Sequence, residues 1–266
     1  MPIATVNETQ LRYDIHGSGE PVVMVMGSGS GGRVWEMHQV PALVADGYQV
    51  VTFDDRGVSQ PEDIEPYGLD DMVADVAALV DHLSLGPCRF VGTSLGALTV
   101  QELAIRRPDL VSESVLMATR GRTDTLSGAI SKAEIDLIDE SAKIPVRYQA
   151  VVQALLNLSR KTLRNEQELR DWIDILEMSG PQPSGLRSQL EASLIEDRLE
   201  ALRSTRAQTL VIGFQDDLIT PPHLNRQVAE AIPGSTYIEV ADCGHYGYLE
   251  QPDVVNKHIL DFFSKG

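Results

Sequence analysis

Short, continuous apolar runs alternate along most of the chain with longer segments in which apolar residues recur every three or four positions. The first pattern predicts strands buried on both faces, and the second predicts amphipathic helices. The predicted strands cover residues 5–6 and 11–15 as an opening hairpin, then 21–26, 48–53, 88–91, 111–117, 208–213 and 236–240. The predicted helices cover residues 34–45, 69–83, 95–105, 224–231 and 254–263. This alternation predicts an α/β fold with a mostly parallel, doubly wound sheet.

The rhythm changes over residues 119–206, where no strand-like run occurs. Helical stretches follow one another there, at residues 127–143, 146–159, 166–178 and 185–203. We interpret this segment as a helical cap inserted after the sixth strand. The predicted α/β core then comprises residues 1–118 and 207–266, and the predicted cap comprises residues 119–206.

The residues 92–96, Gly-Thr-Ser-Leu-Gly, join a predicted strand to a predicted helix and place Ser94 in the turn between them. A serine at such a turn is pushed out at the edge of the sheet, and the flanking glycines let the strand and helix backbones approach. Ser94 is therefore the leading candidate nucleophile. The alternative is a glycine-rich turn with a solvated serine, because Gly and Ser are common enough for this pattern to occur by chance.

The strand at residues 21–26 ends in a loop dense in glycine, Gly27-Ser28-Gly29-Ser30-Gly31-Gly32. Glycine permits close approach of the backbone to a ligand, and free N–H groups in such a loop bind an anion. The spacing is not G-x-G-x-x-G, and no Lys-Ser or Lys-Thr pair follows, so the loop matches neither nucleotide-binding motif. A flexible linker is the other interpretation.

The composition narrows the function classes. Of the 266 residues 22 are basic and 39 acidic, a net charge of −17, which disfavours nucleic-acid binding and polyanionic substrates. The six histidines show neither an H-E-x-x-H motif nor carboxylates at ligand spacing, so we expect no metal and no other cofactor. Cys88 and Cys243 are expected to be reduced thiols. With no membrane-spanning run and no signal-peptide pattern, we expect a cytoplasmic protein without a membrane partner.

Four segments together resemble the α/β-hydrolase superfamily, and the resemblance extends over essentially the whole chain. Besides the Gly-Thr-Ser-Leu-Gly turn they are Asp54-Asp55-Arg56-Gly57, Gly213-Phe214-Gln215-Asp216-Asp217 and Cys243-Gly244-His245-Tyr246. The order serine, acid, histidine is the order in which this fold carries its catalytic residues.

The resemblance implies a Ser-His-Asp triad. Ser94 would be the nucleophile, His245 the general base, and Asp216 the carboxylate that orients the histidine. The family's usual G-x-x-D spacing favours Asp216 over its neighbour Asp217, and Asp124 is a more distant candidate.

The resemblance also implies an oxyanion hole made by the N–H groups of Ser28 and Leu95. Where the common pattern has His-Gly this chain has Met26-Gly27, a form similar to some bacterial esterases that tailor polyketides. The expected activity is hydrolysis of an ester, lactone or related carbonyl of a fairly apolar small molecule. Elimination or C–C bond cleavage by the same triad in natural-product tailoring, and a non-catalytic ligand-binding role, are the alternatives.

Overall fold

The computed structural model of the protein describes residues 1–59, 64–180 and 182–265. Within these residues the centre is an eight-stranded sheet in the order β1-β2-β4-β3-β5-β6-β7-β8. The strands are β1 (Ile3–Val6), β2 (Thr9–Gly17), β3 (Pro21–Val25), β4 (Gln49–Phe53), β5 (Cys88–Thr93), β6 (Val111–Met117), β7 (Gln208–Phe214) and β8 (Thr236–Val240). β2 pairs antiparallel with β1 and β4, and the other pairs are parallel. The predicted mostly parallel sheet is confirmed.

The opening hairpin forms as predicted. Asn7 and Glu8 connect β1 to β2, and both have positive φ, 45° and 60°. A two-residue turn of this kind has a twist that matches the twist of the strands it joins. The register places Val6 opposite Thr9, so the hairpin forms the antiparallel edge of the sheet.

Helices cover both faces of the sheet. They are α1 (Gln39–Ala45), α2 (Leu69–His82), α3 (Leu95–Arg106), α4 (Thr125–Asp139), α5 (Val146–Asn157), α6 (Arg160–Arg164), α7 (Glu166–Met178), α8 (Leu186–Ala192), α9 (Leu199–Leu202), α10 (Pro222–Ala231), α11 (Gly247–Glu250) and α12 (Pro252–Phe263). Apolar side chains of α2, α3 and α10 form the core on one face, and those of α1 and α12 form the core on the other. Among the described residues, none of these helices has the length and apolar character that crossing a membrane requires.

Helices α4 to α9 lie between β6 and β7, within residues 119–206, and we call this segment the cap. Its described residues contain no strand. The single helix predicted over residues 185–203 is wrong, because α8 and α9 are separate. The backbone between them bonds to the loop after β6 instead, with the N–H of Arg198 donating to the carbonyl of Gly121 at 2.7 Å. The division of the chain into two units stays a prediction.

The helix predicted over residues 34–45 is also divided. The segment Gly32–Met37 forms a 3-10 helix, and α1 begins only at Gln39. Pro41 explains the division, because a proline inside one continuous helix would clash with the carbonyl group of Met37, four residues earlier. In the first turn of a new helix its missing N–H is not needed.

The two cysteines are free and buried, as predicted for reduced thiols. Burial raises the pKa of Cys88 to about 12 and, with smaller contributions from nearby carboxylates, that of Cys243 to about 12. Neither thiol is therefore a thiolate nucleophile at neutral pH.

The register of the central strands brings three loops to one edge of the sheet. β3 and β5 pair Val25 with Gly92, and β5 and β6 pair Thr93 with Met117. Because these strands are parallel, their carboxyl ends meet at the same edge, where open α/β sheets bind their ligands. The loops after β3, β5 and β6 therefore lie side by side.

Candidate active site

Ser94 occupies the turn between β5 and α3. Its backbone angles, φ 53° and ψ −120°, lie in a region that residues other than glycine rarely adopt. The neighbouring glycines allow close approach: a Cβ on Gly96 would lie 2.2 Å from the carbonyl oxygen of Val25. A Cβ on Gly92 would lie 2.6 Å from the carbonyl oxygen of Gly96. The strained turn predicted from the five-residue pattern forms, and Ser94 lines a cavity.

His245 reaches Ser94 from the loop between β8 and α11. Its Nε2 lies 3.0 Å from Oγ of Ser94, and its side chain is buried. The loop is held against the cap, because the N–H of Tyr246 donates to the carbonyl oxygen of Asn157 at 3.1 Å. A Cβ on Gly244 would lie 2.4 Å from that same oxygen, so glycine is needed there. The imidazole is thus within reach of the hydroxyl proton.

Asp217 lies behind His245, with Oδ2 2.8 Å from Nδ1 of the imidazole. Its carboxylate also accepts from the N–H groups of Ile219 and Thr220, both at 2.8 Å, and from Oγ1 of Thr220 at 2.7 Å. Burial acts to raise the pKa of Asp217, but the charge on His245 and the hydrogen bonds from His245 and Thr220 outweigh it and lower the pKa. Asp217 is therefore a buried carboxylate that stays ionised.

The structure corrects the predicted acid: Asp217, and not Asp216, contacts the histidine. Strand β7 runs through Phe214, one residue beyond its predicted end, so the family's spacing falls one residue short in this loop. Asp216 faces the cap, where its Oδ2 accepts from the N–H of Arg160 at 3.0 Å. Asp124, the third candidate, caps the N-terminus of α4.

Two side chains hold the glycine-rich loop after β3. Oδ1 of Asp54 accepts from the N–H of Gly32 at 2.8 Å. Oε1 of Gln189, on α8 of the cap, accepts from the N–H of Gly29 at 2.7 Å. In a chain that has methionine where the family pattern has histidine, these two side chains fix the loop, one from the core and one from the cap.

Ser28 and Leu95, the residues predicted to form an oxyanion hole, both line the cavity beside Ser94. Leu95 is the first residue of α3, where the backbone N–H has no partner within the helix. A Cβ on Gly27 would lie 3.1 Å from Cβ of Ser94, so the backbone that leads into Ser28 passes next to the hydroxyl-bearing residue. The binding of an oxyanion by these two N–H groups stays a prediction.

A cavity of about 800 Å³ lies between this edge of the sheet and the cap. Ser94 and His245 line its core side. The cap contributes apolar and polar side chains to the lining in about equal number, and the apolar ones include Ile130, Leu156, Leu176, Leu186 and Leu190. A cavity of this size, lined by both apolar and polar side chains, suits a small organic molecule.

A group of possible metal ligands lies elsewhere. Asp14, His16 and Glu36 offer ligand atoms within 4.8 Å of one another and are half-buried. Among the described residues this is the one such group, and the sequence pattern did not predict it. Carboxylates often gather in this way without a metal, so the group alone does not identify a metal centre.

The chain is similar in sequence and in structure to known proteins. Residues 15–258 match the model of the alpha/beta hydrolase family. A Mycobacterium tuberculosis protein named "Putative non-heme bromoperoxidase BpoC" is 46% identical over 255 residues, which cover 96% of this chain and 97% of that protein. Its crystal structure has a TM-score of 0.94 to this chain at 45% identity, with 96% of each chain covered. The enol-lactonase of Burkholderia xenovorans LB400 has a TM-score of 0.80 at 26% identity and covers 99% of this chain and 100% of its own.

Proposed function

Because the chain belongs to the α/β hydrolase family and is an enzyme of that class, we propose that it is a serine hydrolase. It cleaves an ester, lactone or related carbonyl of a fairly apolar small molecule. The observation that carries the proposal is the chain of contacts from Oγ of Ser94 to Nε2 of His245, 3.0 Å, and from its Nδ1 to Oδ2 of Asp217, 2.8 Å. The three residues act as nucleophile, general base and orienting carboxylate.

In the first half of the reaction, Nε2 of His245 takes the hydroxyl proton of Ser94 while Oγ forms a bond to the substrate's carbonyl carbon. The carbonyl π electrons move to the oxygen, and the N–H groups of Ser28 and Leu95 stabilise the oxyanion. When the tetrahedral intermediate collapses, the bond to the leaving oxygen breaks and the proton on Nε2 passes to that oxygen. An acyl-serine and a hydroxyl group result.

In the second half, water replaces the hydroxyl of Ser94 as the attacking group. His245 takes a proton from the water, the oxygen of the water bonds to the acyl carbon, and Oγ of Ser94 leaves with the proton from Nε2. Asp217 does not take a proton at any step. It accepts from Nδ1–H, which fixes the tautomer of the imidazole and stabilises the imidazolium. A lowered pKa suits this role, because the carboxylate stays charged.

The leucine, isoleucine, valine and methionine side chains that the cap adds to the cavity lining support a substrate with a substantial apolar part, and the net charge of −17 supports one that is not polyanionic. We propose that the substrate is a small molecule and that the enzyme acts in the cytoplasm. We propose no nucleic-acid partner and no membrane partner. An ester or lactone from natural-product tailoring is one substrate class consistent with it.

A second candidate function follows from the name of the M. tuberculosis relative, which is 46% identical and is called a bromoperoxidase. In this reaction hydrogen peroxide would replace water as the attacking group in the second half. Its oxygen would bond to the acyl carbon, Ser94 would leave with the proton from His245, and the product would be a peroxy acid. The peroxy acid would then oxidise bromide to hypobromous acid and become a carboxylic acid. Formation of peroxy acid when peroxide is added to an ester substrate would distinguish the two functions.

The test of the proposed function is covalent labelling. A fluorophosphonate should form one adduct, on the peptide that contains Ser94, because such reagents need an activated serine. Ser94→Ala should abolish labelling and lower kcat for 4-nitrophenyl butyrate by about 10⁴-fold or more. Ser30→Ala removes another hydroxyl of the cavity lining and should leave both unchanged.

Turnover that survives Ser94→Ala, or an adduct on another residue, would contradict the proposal. Labelling of Ser94 without hydrolysis of any ester or lactone would favour elimination or C–C bond cleavage. Ligand binding without labelling would favour the non-catalytic role.

A further inference from the structure

Arg120 lies on the wall of the cavity, in the loop after β6. It is three residues beyond Met117, whose carbonyl oxygen accepts from the N–H of Ser94 at 3.0 Å. Only 4% of Arg120 is exposed. A buried guanidinium group therefore stands one strand away from the candidate nucleophile.

The hydrogen bonds of this guanidinium group are incomplete. Nη2 donates to the carbonyl oxygen of Ser193 at 2.7 Å. Nε is buried and has no hydrogen-bond partner among the residues that the structure describes. Within the same part of the chain, no carboxylate forms an ion pair with Arg120. The positive charge is thus buried with one backbone carbonyl as its hydrogen-bond acceptor.

The charges of two carboxylates, Asp124 and Asp217, attract Arg120 without a hydrogen bond to it, and both carboxylates have other hydrogen-bond partners. Asp124 caps α4, and Asp217 holds His245. Burial lowers the pKa of Arg120, and these two charges partly offset it, yet a guanidinium group stays protonated at neutral pH. A buried charge without a bonded counter-ion is costly, so this wall of the cavity favours an anionic ligand.

The surroundings of Arg120 suit one small anion. Among the described residues that line the cavity, it is the only lysine or arginine. Ser131 and Ser193 also line the cavity, and their hydroxyl groups lie 3.2 Å apart. Glu134, one helical turn beyond Ser131, is in the lining too, but burial raises its pKa and favours its neutral form. Repulsion of an anion by this carboxyl group is thereby reduced. Glu177, the other acidic residue in the described lining, lies 3.6 Å from the guanidinium group of Arg147.

We propose that Arg120 binds a carboxylate of the substrate, so that the natural substrate is an ester or lactone carrying one carboxylate a few bonds from the scissile carbonyl. The inference rests on the proposed hydrolase function and narrows its substrate class. One guanidinium group matches a carboxylate in a planar, bidentate geometry. The net charge of −17 works against ligands that carry several negative charges.

Turnover of a matched pair of esters tests this assignment. 4-Nitrophenyl hydrogen glutarate carries a carboxylate at the far end of its acyl chain, and its methyl ester is the neutral counterpart. Arg120→Gln, which keeps an N–H donor for Ser193 but removes the charge, should lower kcat/KM for the anionic ester by about 10- to 100-fold. The neutral ester should change by less than about 3-fold, because it offers no charge to pair. Arg122→Gln removes the same charge outside the cavity lining and should change neither.

Binding without turnover separates this inference from the proposed function. In the Ser94→Ala variant, calorimetry should show glutaramate, which carries one carboxylate, binding about tenfold more tightly than neutral glutaramide. Adding Arg120→Gln should remove that preference. If Arg120→Gln does not fold, the preference of the Ser94→Ala chain for glutaramate over glutaramide still decides the question.

The outcomes of these experiments distinguish the anion site from the hydrolase function. Arg120-dependent binding of glutaramate by a chain that hydrolyses no ester would overturn the hydrolase proposal and support the anion site. Hydrolysis of both esters at equal kcat/KM, with no preference for glutaramate over glutaramide, would overturn the anion site and support the hydrolase. Binding of inorganic phosphate as tightly as glutaramate would overturn the assignment to carboxylates.

Discussion

The core wall and the cap wall of the cavity are held in different ways. On the core wall the backbone fixes the positions: Ser94 sits in a strained turn, and a Cβ on Gly96 would overlap the carbonyl oxygen of Val25 at 2.2 Å. On the cap wall, α7 has no buried residue among those described. Met178 is 83% exposed although it lines the cavity. The backbone therefore fixes the core wall, whereas the part of the cap wall formed by α7 depends on side chains at a solvated surface.

This difference assigns separate tasks to the two walls. Bond-making requires groups held within about 0.5 Å of their working positions, and close backbone contacts supply that precision. Contact with the rest of the substrate tolerates a change of side chain. Substitutions on the core wall should therefore lower kcat, and those on the cap wall should mainly change KM.

The largest effect is expected from Asp217, at the back of the core wall. Asp217→Asn keeps the shape of the side chain but favours the wrong tautomer of His245, so kcat should fall by about 10⁴-fold. Asp216→Asn is the matched control, because the amide oxygen can still accept from the N–H of Arg160. Steady-state kinetics of both variants on one ester measure the contrast, and equal losses would show that Asp217 does not have the orienting role.

A smaller effect is expected from adding one methyl group to each wall. Gly96→Ala would force α3 away from β3, lowering the free energy of unfolding by about 1–3 kcal/mol and kcat by about 100-fold. Gly180→Ala, in the cap, meets no atom within 4 Å and should change the free energy of unfolding by less than about 0.5 kcal/mol. Denaturant unfolding and steady-state kinetics of the two variants test this prediction. Equal losses of stability and of kcat in both variants would contradict it.

The next comparison concerns the pH dependence of stability. Burial and the charges of Asp75 and Asp54, opposed by Arg56, raise the pKa of Asp55 in the core from 3.8 to about 8. The folded chain thus keeps a proton that the unfolded chain releases near pH 4, so the free energy of unfolding falls as pH rises towards 8. Asp55→Asn should flatten the curve of Tm against pH over this range.

Glu134 in the cap provides the comparison. Burial raises its pKa too, partly opposed by a hydrogen bond from Gln153, so Glu134→Gln should flatten the same curve less than Asp55→Asn does. Calorimetric scans between about pH 4 and pH 8 measure both slopes. A larger change for Glu134→Gln would mean that folding raises the pKa of Glu134 more than that of Asp55.

Features encoded within a few neighbouring residues could be predicted from the sequence. The strand runs, the turn at Ser94 and the loop of His245 each depend on local apolar spacing or glycine. The choice between Asp216 and Asp217 depended on where β7 ends. That end is set by pairing with a distant strand, in which Phe214 lies opposite Val240. A local signal was present nonetheless, because Thr220 follows Asp217 at the spacing of an aspartate that accepts from nearby backbone N–H groups.

Two features had no local pattern. The break between α8 and α9 arises because the intervening backbone bonds to the loop after β6, about 75 residues earlier. Arg120 looks like a surface arginine in the sequence, and only the packing of the cap over its loop buries it without a carboxylate partner. Both depend on contacts between segments that are far apart along the chain.

The hydrogen bond from Gly29 to Gln189 has a consequence for exchanging caps between relatives. A chimera in which residues 119–206 are replaced would keep the glycine-rich loop beside Ser94. It would lose the side chain of Gln189, which holds that loop from the cap. The incoming cap would need an acceptor at the position of Gln189, whereas the bond from Arg160 to Asp216 would survive any residue but proline, since its donor is backbone. An exchanged cap would therefore alter the rate of the chemical step together with the choice of substrate.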